Sequence, residues 1–149
     1  MKTPILNHVA LTVPRPLLND TPERRNLLEF YEHVFGWRAI DIMAIEGERV
    51  VLHLHHVTHF LYLVGGDKPM ITSPGDHFGI EVYERETLDA IVARARAFKA
   101  ERDPTVEVTE ITTEDYGPIR IHNAYVRYLL PLMVEVQFYE GVELELGEA

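Results

Sequence analysis

The feature that most constrains this chain is an internal repeat. Residues 8–13 read HVALTV and residues 77–82 read HFGIEV, while residues 58–65 read THFLYLVG and residues 134–141 read VEVQFYEG. Both pairs occur in the same order along the chain. The sequence therefore predicts two copies of one supersecondary unit.

Each copy shows the same order of secondary-structure patterns. Alternating residues predict a strand from Pro4 to Val13, and apolar residues at helical spacing predict a helix from about Glu23 to Phe35 that ends at Gly36. Further elements are predicted as strands at Trp37–Ile45, Glu48–Val57, His59–Val64 and His77–Val82, and as a helix at about Thr87–Lys99. Two β-α-β-β-β modules, residues 1–70 and 71–149, are thus expected to form one α+β domain.

The second module is longer than the first. The two repeat pairs run from residue 8 to 77 and from 59 to 135, offsets of 69 and 76, so about seven residues are inserted in the second module. We place them in a loop at residues 112–123, because surface loops accept insertions at little cost. His122 is then a candidate lid residue.

Composition excludes several classes of function. The chain has no Cys, its only serine is Ser73 in a predicted turn, and no phosphate-binding glycine motif occurs. With 24 acidic against 14 basic residues and a formal charge of -10, nucleic-acid binding is not expected. No apolar run is long enough to span a membrane, so we expect a cytoplasmic protein with a small-molecule substrate and no membrane partner. Any metal must be held by His, Asp or Glu.

At family level the chain resembles the vicinal oxygen chelate superfamily, which includes glyoxalase I, the extradiol dioxygenases and bleomycin-resistance proteins. The resemblance is carried by residues 7–13 (NHVALTV), 28–37 (LEFYEHVFGW), 77–82 (HFGIEV), 124–126 (AYV) and 134–136 (VEV). It implies that the two modules form a cupped mixed sheet. The family has a polar turn where this chain reads YLLPLMV at 128–134, and a turn so apolar is expected to be covered by a second subunit in a homodimer.

The resemblance also implies a metal site. Carried over residue by residue, the ligand positions are His8, His59, His77 and Glu135. Strand alternation independently puts three of them on polar faces, in the groups His8 with Ala10 and Thr12, His77 with Gly79 and Glu81, and Glu135 with Gln137 and Tyr139. Imidazoles with a carboxylate suit Fe(II), which we favour, or Mn, Ni or Zn.

The fourth position separates the subclasses. Glyoxalase I and the epimerases usually have Glu or Gln there, whereas His59 resembles the proton-handling histidine of the extradiol dioxygenases, and Tyr125 falls where those enzymes have a substrate-binding Tyr. The sequence therefore favours a dioxygenase, with His59 and Tyr125 as catalytic residues. A glyoxalase I-like lyase or isomerase is the first alternative. A metal-free drug-binding protein of the bleomycin-resistance type is the second.

Simpler interpretations stay open for several residues. Glu135 can pair with Arg127 instead of a metal. His53 and His55 can line the cup or lie on a solvated edge strand, and His33 is expected near a helix C-terminus, where a cation is favoured. The acidic stretch at residues 140–149 is expected to be an edge strand or a tail without assigned function.

Overall fold

The computed structural model describes residues 4–141. Its elements are the strands β1 (His8–Pro14), β2 (Arg38–Ala39), β3 (Arg49–His53), β4 (Phe60–Gly66), β5 (His77–Val82), β6 (Glu107–Val108), β7 (Thr112–Asp115), β8 (Arg120–Arg127) and β9 (Met133–Glu140), and the helices α1 (Pro22–Phe35) and α2 (Arg85–Glu101). Short 3-10 segments occur at Arg15–Leu18 and Asp41–Met43. The predicted α+β class and its tandem modules are confirmed.

The chain divides into two compact units. Residues 4–75 with Tyr128–Pro131 form the first, and Asp76–Arg127 with residues 132–141 form the second. None of the helices between residues 4 and 141 has the length and apolar character to cross a membrane. The rest of the predicted tail, residues 142–149, lies outside the described residues.

The first unit contains a four-stranded sheet in the order β1-β4-β3-β2. β1 runs parallel to β4 and pairs His8 with Phe60, while β3 runs antiparallel to β4 and pairs His53 with the same Phe60. Alternation along β1 buries Leu11 and Val13 completely and leaves His8 on the opposite face. One face of the sheet thus belongs to the core, and the other carries His8.

Helix α1 forms where its termini and apolar spacing require it. The Thr21 hydroxyl accepts a hydrogen bond from the Arg24 amide at 3.2 Å, and Pro22 occupies the first turn. Gly36 adopts the left-handed conformation, with φ of 77°, and its amide bonds the Glu32 carbonyl at 2.9 Å. The predicted end of the helix at Gly36 is confirmed.

The predicted strand at Trp37–Ile45 is mostly wrong. Only Arg38–Ala39 pair with β3, after which the chain turns through the 3-10 segment Asp41–Met43, where the Ala44 amide bonds the Asp41 carbonyl. Ile42 is 95% exposed in this turn. The strand predicted at Glu48–Val57 shortens to Arg49–His53, the one predicted at His59–Val64 runs from Phe60 to Gly66, and the first begins at His8 instead of Pro4.

The second unit contains a five-stranded sheet in the order β5-β9-β8-β6, with β7 also on β8. Helix α2 packs on one face of this sheet through its apolar stripe, which consists of Leu88, Ile91, Val92, Ala95 and Phe98. The buried side chains of Ala124, Val126, Val134 and Val136 face that helix. The opposite face is left for Tyr125 and Glu135, which alternate with them along β8 and β9.

The predicted insertion loop at residues 112–123 is instead strand structure. Its first part is β7, which pairs antiparallel with β8 from Thr112 opposite Asn123 to Asp115 opposite Arg120. The hairpin turn between them contains Gly117, with φ of 84°. The inserted residues therefore extend the sheet, because their Thr-rich alternation can satisfy backbone hydrogen bonds that a loop would leave to water.

The apolar turn after β8 is covered within its own chain. Tyr128 and Leu130 are 1% and 3% exposed, and the Tyr128 ring lies 4.9 Å from that of Phe30 on α1. The Tyr31 hydroxyl donates to the Tyr128 carbonyl at 3.0 Å and accepts from its amide at 3.3 Å. The expectation that a second subunit covers this turn is wrong for these residues, since α1 performs that role.

Candidate functional site

The second unit brings together two of the predicted metal ligands. His77 opens β5, and Glu135 lies on the neighbouring β9, opposite Gly79. His77 Nε2 is 3.2 Å from Glu135 Oε2, and the carboxylate is largely buried, with 7% of the residue exposed. A buried carboxylate needs partners, and here it finds an imidazole and not a guanidinium.

Tyr125 completes this cluster from β8. It lies directly opposite Glu135, donates its hydroxyl proton to Oε1 at 2.7 Å, and packs edge-on against the His77 ring at 5.3 Å. The hydrogen bond to Glu135, with some burial, raises the pKa of Tyr125 to about 12. The phenol therefore stays protonated at neutral pH and acts as a hydrogen-bond donor.

The predicted alternative partner of Glu135 is engaged elsewhere. Arg127 forms a two-pronged ion pair with Glu107 of β6, with Nη2 at 2.9 Å from Oε1. This pair holds the pKa of the Glu107 carboxyl below its usual value. The interpretation that Glu135 is neutralised by Arg127 is wrong.

An open hollow of about 390 Å³ lies on the same face, beside the His77–Glu135–Tyr125 cluster. Its lining consists of Gly79, Ile80, Glu81, Gln137 and Tyr139. The expected grouping of His77 with Gly79 and Glu81, and of Glu135 with Gln137 and Tyr139, agrees with the register of β5 and β9. The Tyr139 hydroxyl donates to Gln137 Oε1 at 3.0 Å.

In the first unit, His8 is held as a metal-binding histidine usually is. Its ring stacks on Phe60, with centroids 4.9 Å apart and planes 9° from parallel, and Nδ1 donates to Asn7 Oδ1 at 2.8 Å. Donation from Nδ1 leaves Nε2 with a free electron pair, the tautomer that such a second partner fixes in metal sites. The orientation of His8 therefore suits a ligand.

The strand registers show that His59 is not the residue of the first module that corresponds to Glu135. Glu135 pairs with Gly79, two residues after His77, and the residue that pairs with Ala10, two residues after His8, is Tyr62. The counterpart of Glu135 in the first module is therefore Tyr62, three positions beyond His59. His59 precedes β4, with Nδ1 3.3 Å from the Thr58 hydroxyl. Its predicted metal and catalytic roles lose the support of the repeat and stay predictions.

The other histidines of the first unit lie near the β3–β4 connection. The His59 ring is 4.7 Å from that of His55 and 6.1 Å from that of His56, and both of these residues are exposed. His53 lies at the end of β3, a strand inside the sheet, and pairs with Phe60 on the face that carries His8. The solvated-edge interpretation is therefore wrong for His53, and His55 lies beyond the strand.

His122 is not a lid residue. It is buried on β8 and faces α2, with Nδ1 2.8 Å from the Thr113 hydroxyl and 3.1 Å from Arg85 Nη1. Its Nε2 is 3.0 Å from Glu140 Oε2, and this hydrogen bond lowers the pKa of the Glu140 carboxyl. His122 therefore links β7, β8, β9 and α2 on the face opposite Tyr125. The alternation of residues along β8 is the only sequence signal that indicates which face His122 occupies.

The donor set of the cluster fits a divalent transition metal in part. Two donors on one such metal lie about 3 Å apart, close to the 3.2 Å between His77 Nε2 and Glu135 Oε2. Imidazole with carboxylate is the chemistry that Fe(II), Mn, Ni and Zn accept. No group of three or more His, Asp or Glu side chains converges as a metal cage within residues 4–141. A metal ion bound by His77 and Glu135 therefore needs a third ligand.

Comparison with known proteins agrees with this architecture. The chain is similar to a fosfomycin resistance protein, FosX, from Listeria monocytogenes, at 15% identity and a TM-score of 0.60, over 92% of this chain and 94% of that one. It is similar to a lactoylglutathione lyase from Agrobacterium tumefaciens, at 18% identity and a TM-score of 0.60, over 92% and 96% of the two chains. These identities establish a shared fold alone.

A third solved structure, a glyoxalase/bleomycin resistance protein from Albidiferax ferrireducens T118, matches at 16% identity and a TM-score of 0.60, over 89% of this chain and 98% of that one. No curated protein matches the sequence. The family model described as the Glyoxalase/Bleomycin resistance protein/Dioxygenase superfamily matches residues 5–121, most of the chain. The chain belongs to the glyoxalase/bleomycin resistance protein/dioxygenase superfamily.

Proposed function

We propose that the protein is a metal-dependent enzyme whose small substrate chelates the metal through two adjacent oxygens, and that its reaction is of the extradiol dioxygenase type. The observation that carries the proposal is the His77–Glu135 pair, with Nε2 and Oε2 3.2 Å apart and Tyr125 donating to the other carboxylate oxygen. Both oxygens of this carboxylate thus have a partner, and one of the partners is an imidazole that can share a metal ion with it.

In this proposal His77 and Glu135 hold the metal, with His8 as the third ligand that the family resemblance assigns. His8 comes from the same chain or from a second copy in the proposed homodimer. Fe(II) is favoured, with Mn, Ni or Zn as alternatives. When bound, the metal supplies Lewis acidity and open coordination positions for the substrate oxygens.

The choice of oxygen chemistry over isomerisation follows from the fourth ligand position. The register makes Tyr62 the counterpart of Glu135, so the first module contributes a phenol where a glyoxalase I-like enzyme would have a carboxylate or amide. Two imidazoles and one carboxylate form the ligand set that non-haem Fe(II) oxygenases use. Tyr62 thus favours the dioxygenase over a four-ligand lyase.

The remaining residues of the site orient the Glu135 carboxylate, leave room for the substrate, or supply a proton to it. Tyr125 fixes one oxygen of Glu135 and so limits how the carboxylate can turn. Because the pKa of Tyr125 is raised to about 12, it keeps its proton and can share it with a substrate oxygen that approaches Glu135. Gly79 has no side chain, which leaves room for substrate beside the carboxylate. The acid–base role of His59 remains a prediction.

The experiment begins with metal content of protein purified without chelators or immobilised-metal columns, in wild type, His8→Ala and Glu135→Gln. We expect near-stoichiometric metal in wild type and its loss in both variants, while His33→Ala, an exposed helix residue, keeps it. Wild type that stays metal-free after reconstitution would overturn the proposal in favour of a drug-binding protein.

The metal-loaded protein is then assayed in two ways. Oxygen consumption with catechols is expected, with a loss of at least tenfold in kcat for Tyr125→Phe. His59→Ala is assayed beside it, and an unchanged rate would remove His59 from the mechanism. Turnover of a hemithioacetal without oxygen uptake would replace the dioxygenase by the lyase alternative.

A further inference from the structure

The hollow beside the metal-binding pair is lined by hydrogen-bond acceptors. A methyl group placed on Gly79 would lie 3.6 Å from Gln137 Oε1 and 3.9 Å from Glu135 Oε2, so both oxygens face the space above this glycine. The Tyr139 hydroxyl donates its proton to Gln137 Oε1 at 3.0 Å. The Tyr139 oxygen can therefore only accept a hydrogen bond from a ligand in the hollow. Glu81, directly opposite Gln137 in the sheet, adds an exposed carboxylate.

Positive charge on this face is already paired. Among the described residues of β5, β8 and β9 that share the face, Arg127 is the one Lys or Arg side chain, and Glu107 binds it through both prongs. His77 is held by Glu135. An anionic group in the hollow would meet Glu81 without a compensating cation, whereas a donor group would find acceptors on two sides.

We infer that the group of the substrate that occupies the Gly79 hollow is a protonated amine. The inference rests on the proposed function, because it places the chelating oxygens of the same substrate at His77 and Glu135. Two residues along a strand span about 7 Å, so Glu81 lies that far beyond Gly79. Glu135, opposite Gly79, marks the chelating end of the substrate, and in a catechol with a two-carbon amine chain the nitrogen lies about that far from the ring oxygens.

Three catechols with short side chains of positive, zero and negative charge test the inference. They are 4-(2-aminoethyl)catechol, 4-ethylcatechol and 3,4-dihydroxyphenylacetate, titrated by calorimetry into Zn²⁺-loaded protein, which binds without oxidising them. We expect the amine to bind about tenfold more tightly than ethylcatechol, since a hydrogen bond to a charged group gives about one decade, and the carboxylate to bind most weakly.

Two variants locate the effect. Glu81→Gln is expected to cut the advantage of the amine to below about threefold and to leave the Kd of ethylcatechol unchanged. The matched control Glu101→Gln removes an exposed carboxylate from the end of α2, which does not line the hollow, and is expected to retain the full advantage. Equal affinities for the three catechols, or tightest binding of the carboxylate, would overturn the inference.

Failure of the proposed function gives a different result. In that case Zn²⁺ or ethylcatechol does not bind, and the same catechols are added to the metal-free protein while backbone amide shifts are followed by NMR. Shifts at Gly79 and Gln137 with the amine alone would support the hollow as an amine site without the metal chemistry. Absence of these shifts would refute it.

Discussion

Replacing Tyr125 by phenylalanine removes one hydroxyl from the half-buried His77–Glu135–Tyr125 cluster and leaves the ring in place. The hydroxyl donates to Glu135 Oε1 at 2.7 Å and raises the pKa of Tyr125 from 10.0 to about 12. Two pKa units correspond to about 2.7 kcal/mol, which we halve to about 1.4 kcal/mol because the hydroxyl is half-buried and solvent screens the pair. We expect Tyr125→Phe to lower the free energy of unfolding by about 1.4 kcal/mol at pH 7.

The pH dependence has a defined sign. A pKa raised in the folded state stabilises the protein below the unfolded pKa, near 10.0, and this stabilisation is lost as the pH rises towards about 12. The difference in unfolding free energy between wild type and Tyr125→Phe should therefore be constant up to about pH 9 and shrink above it. Urea denaturation at a series of pH values measures the difference.

A matched control compares the half-buried Tyr125–Glu135 hydrogen bond with an exposed one. Tyr116 also donates to a carboxylate, Glu114 Oε2, at 2.6 Å, but this pair is exposed, so Tyr116→Phe should leave the unfolding midpoint unchanged. Tyrosine labelled with ¹³C at Cζ should show one resonance, absent in Tyr125→Phe, that titrates about two units late. A Tyr125 resonance that titrates near pH 10 would refute the reasoning.

Three further substitutions test other parts of the structure by urea denaturation. Gly36→Ala should cost about 1 kcal/mol, because φ is 77° and no atom lies within 4 Å to be gained or lost by a Cβ. Tyr31→Phe should cost about 2 kcal/mol, since the amide and carbonyl of Tyr128 both lose a buried partner. Glu140→Gln should lower stability at pH 7, and the difference should shrink as the pH falls below 4.5, because His122 lowers the pKa of Glu140 and that stabilisation is lost as the folded carboxylate protonates.

Controls accompany these three. Gly75→Ala has open space and no positive φ, so no loss is expected there, and an equal loss at both glycines would contradict the backbone explanation. For Tyr31→Phe, a loss no larger than that of Tyr116→Phe would mean that water replaces the hydroxyl. A Glu140→Gln difference that does not shrink as the pH falls below 4.5 would show that packing, and not the charge, is responsible.

The fold was predictable where local patterns and tertiary packing agree. Alternation defined the His77–Val82 strand, and helix α1 was predicted to within one residue because apolar spacing marks its extent and Gly36 marks its end. The segment Trp37–Ile45 misled, because Trp37 is buried and Arg38–Ala39 pair in the sheet, whereas Ile42 lies in a 3-10 turn and is exposed to solvent. Nothing local reveals that the chain leaves the sheet between them.

The pairing of His77 with Glu135 was predicted through the family resemblance, which places both in one set of ligand positions, and alternation put each on the polar face of its strand. In the structure the two residues lie on neighbouring strands of one sheet. His59 was matched to Glu135 by similarity of letters, yet pairing of β1 with β4 makes Tyr62 the counterpart. A slip of three residues moves a side chain to the other face of its strand, but residues 60–64 are apolar at both sets of alternate positions, so alternation did not reveal it.

The segment Tyr128–Pro131 determines whether the two units could fold as separate fragments. It lies in sequence between two strands of the second unit but belongs to the first, where it covers Phe30 and satisfies Tyr31. A fragment ending at Gly75 would expose the aromatic face of α1, and the remaining fragment would present Leu130 to water. We therefore expect neither fragment to fold stably when it is expressed alone. Mixing the two fragments should restore the folded protein, so a cut at the repeat boundary yields complementing fragments and not two independent domains.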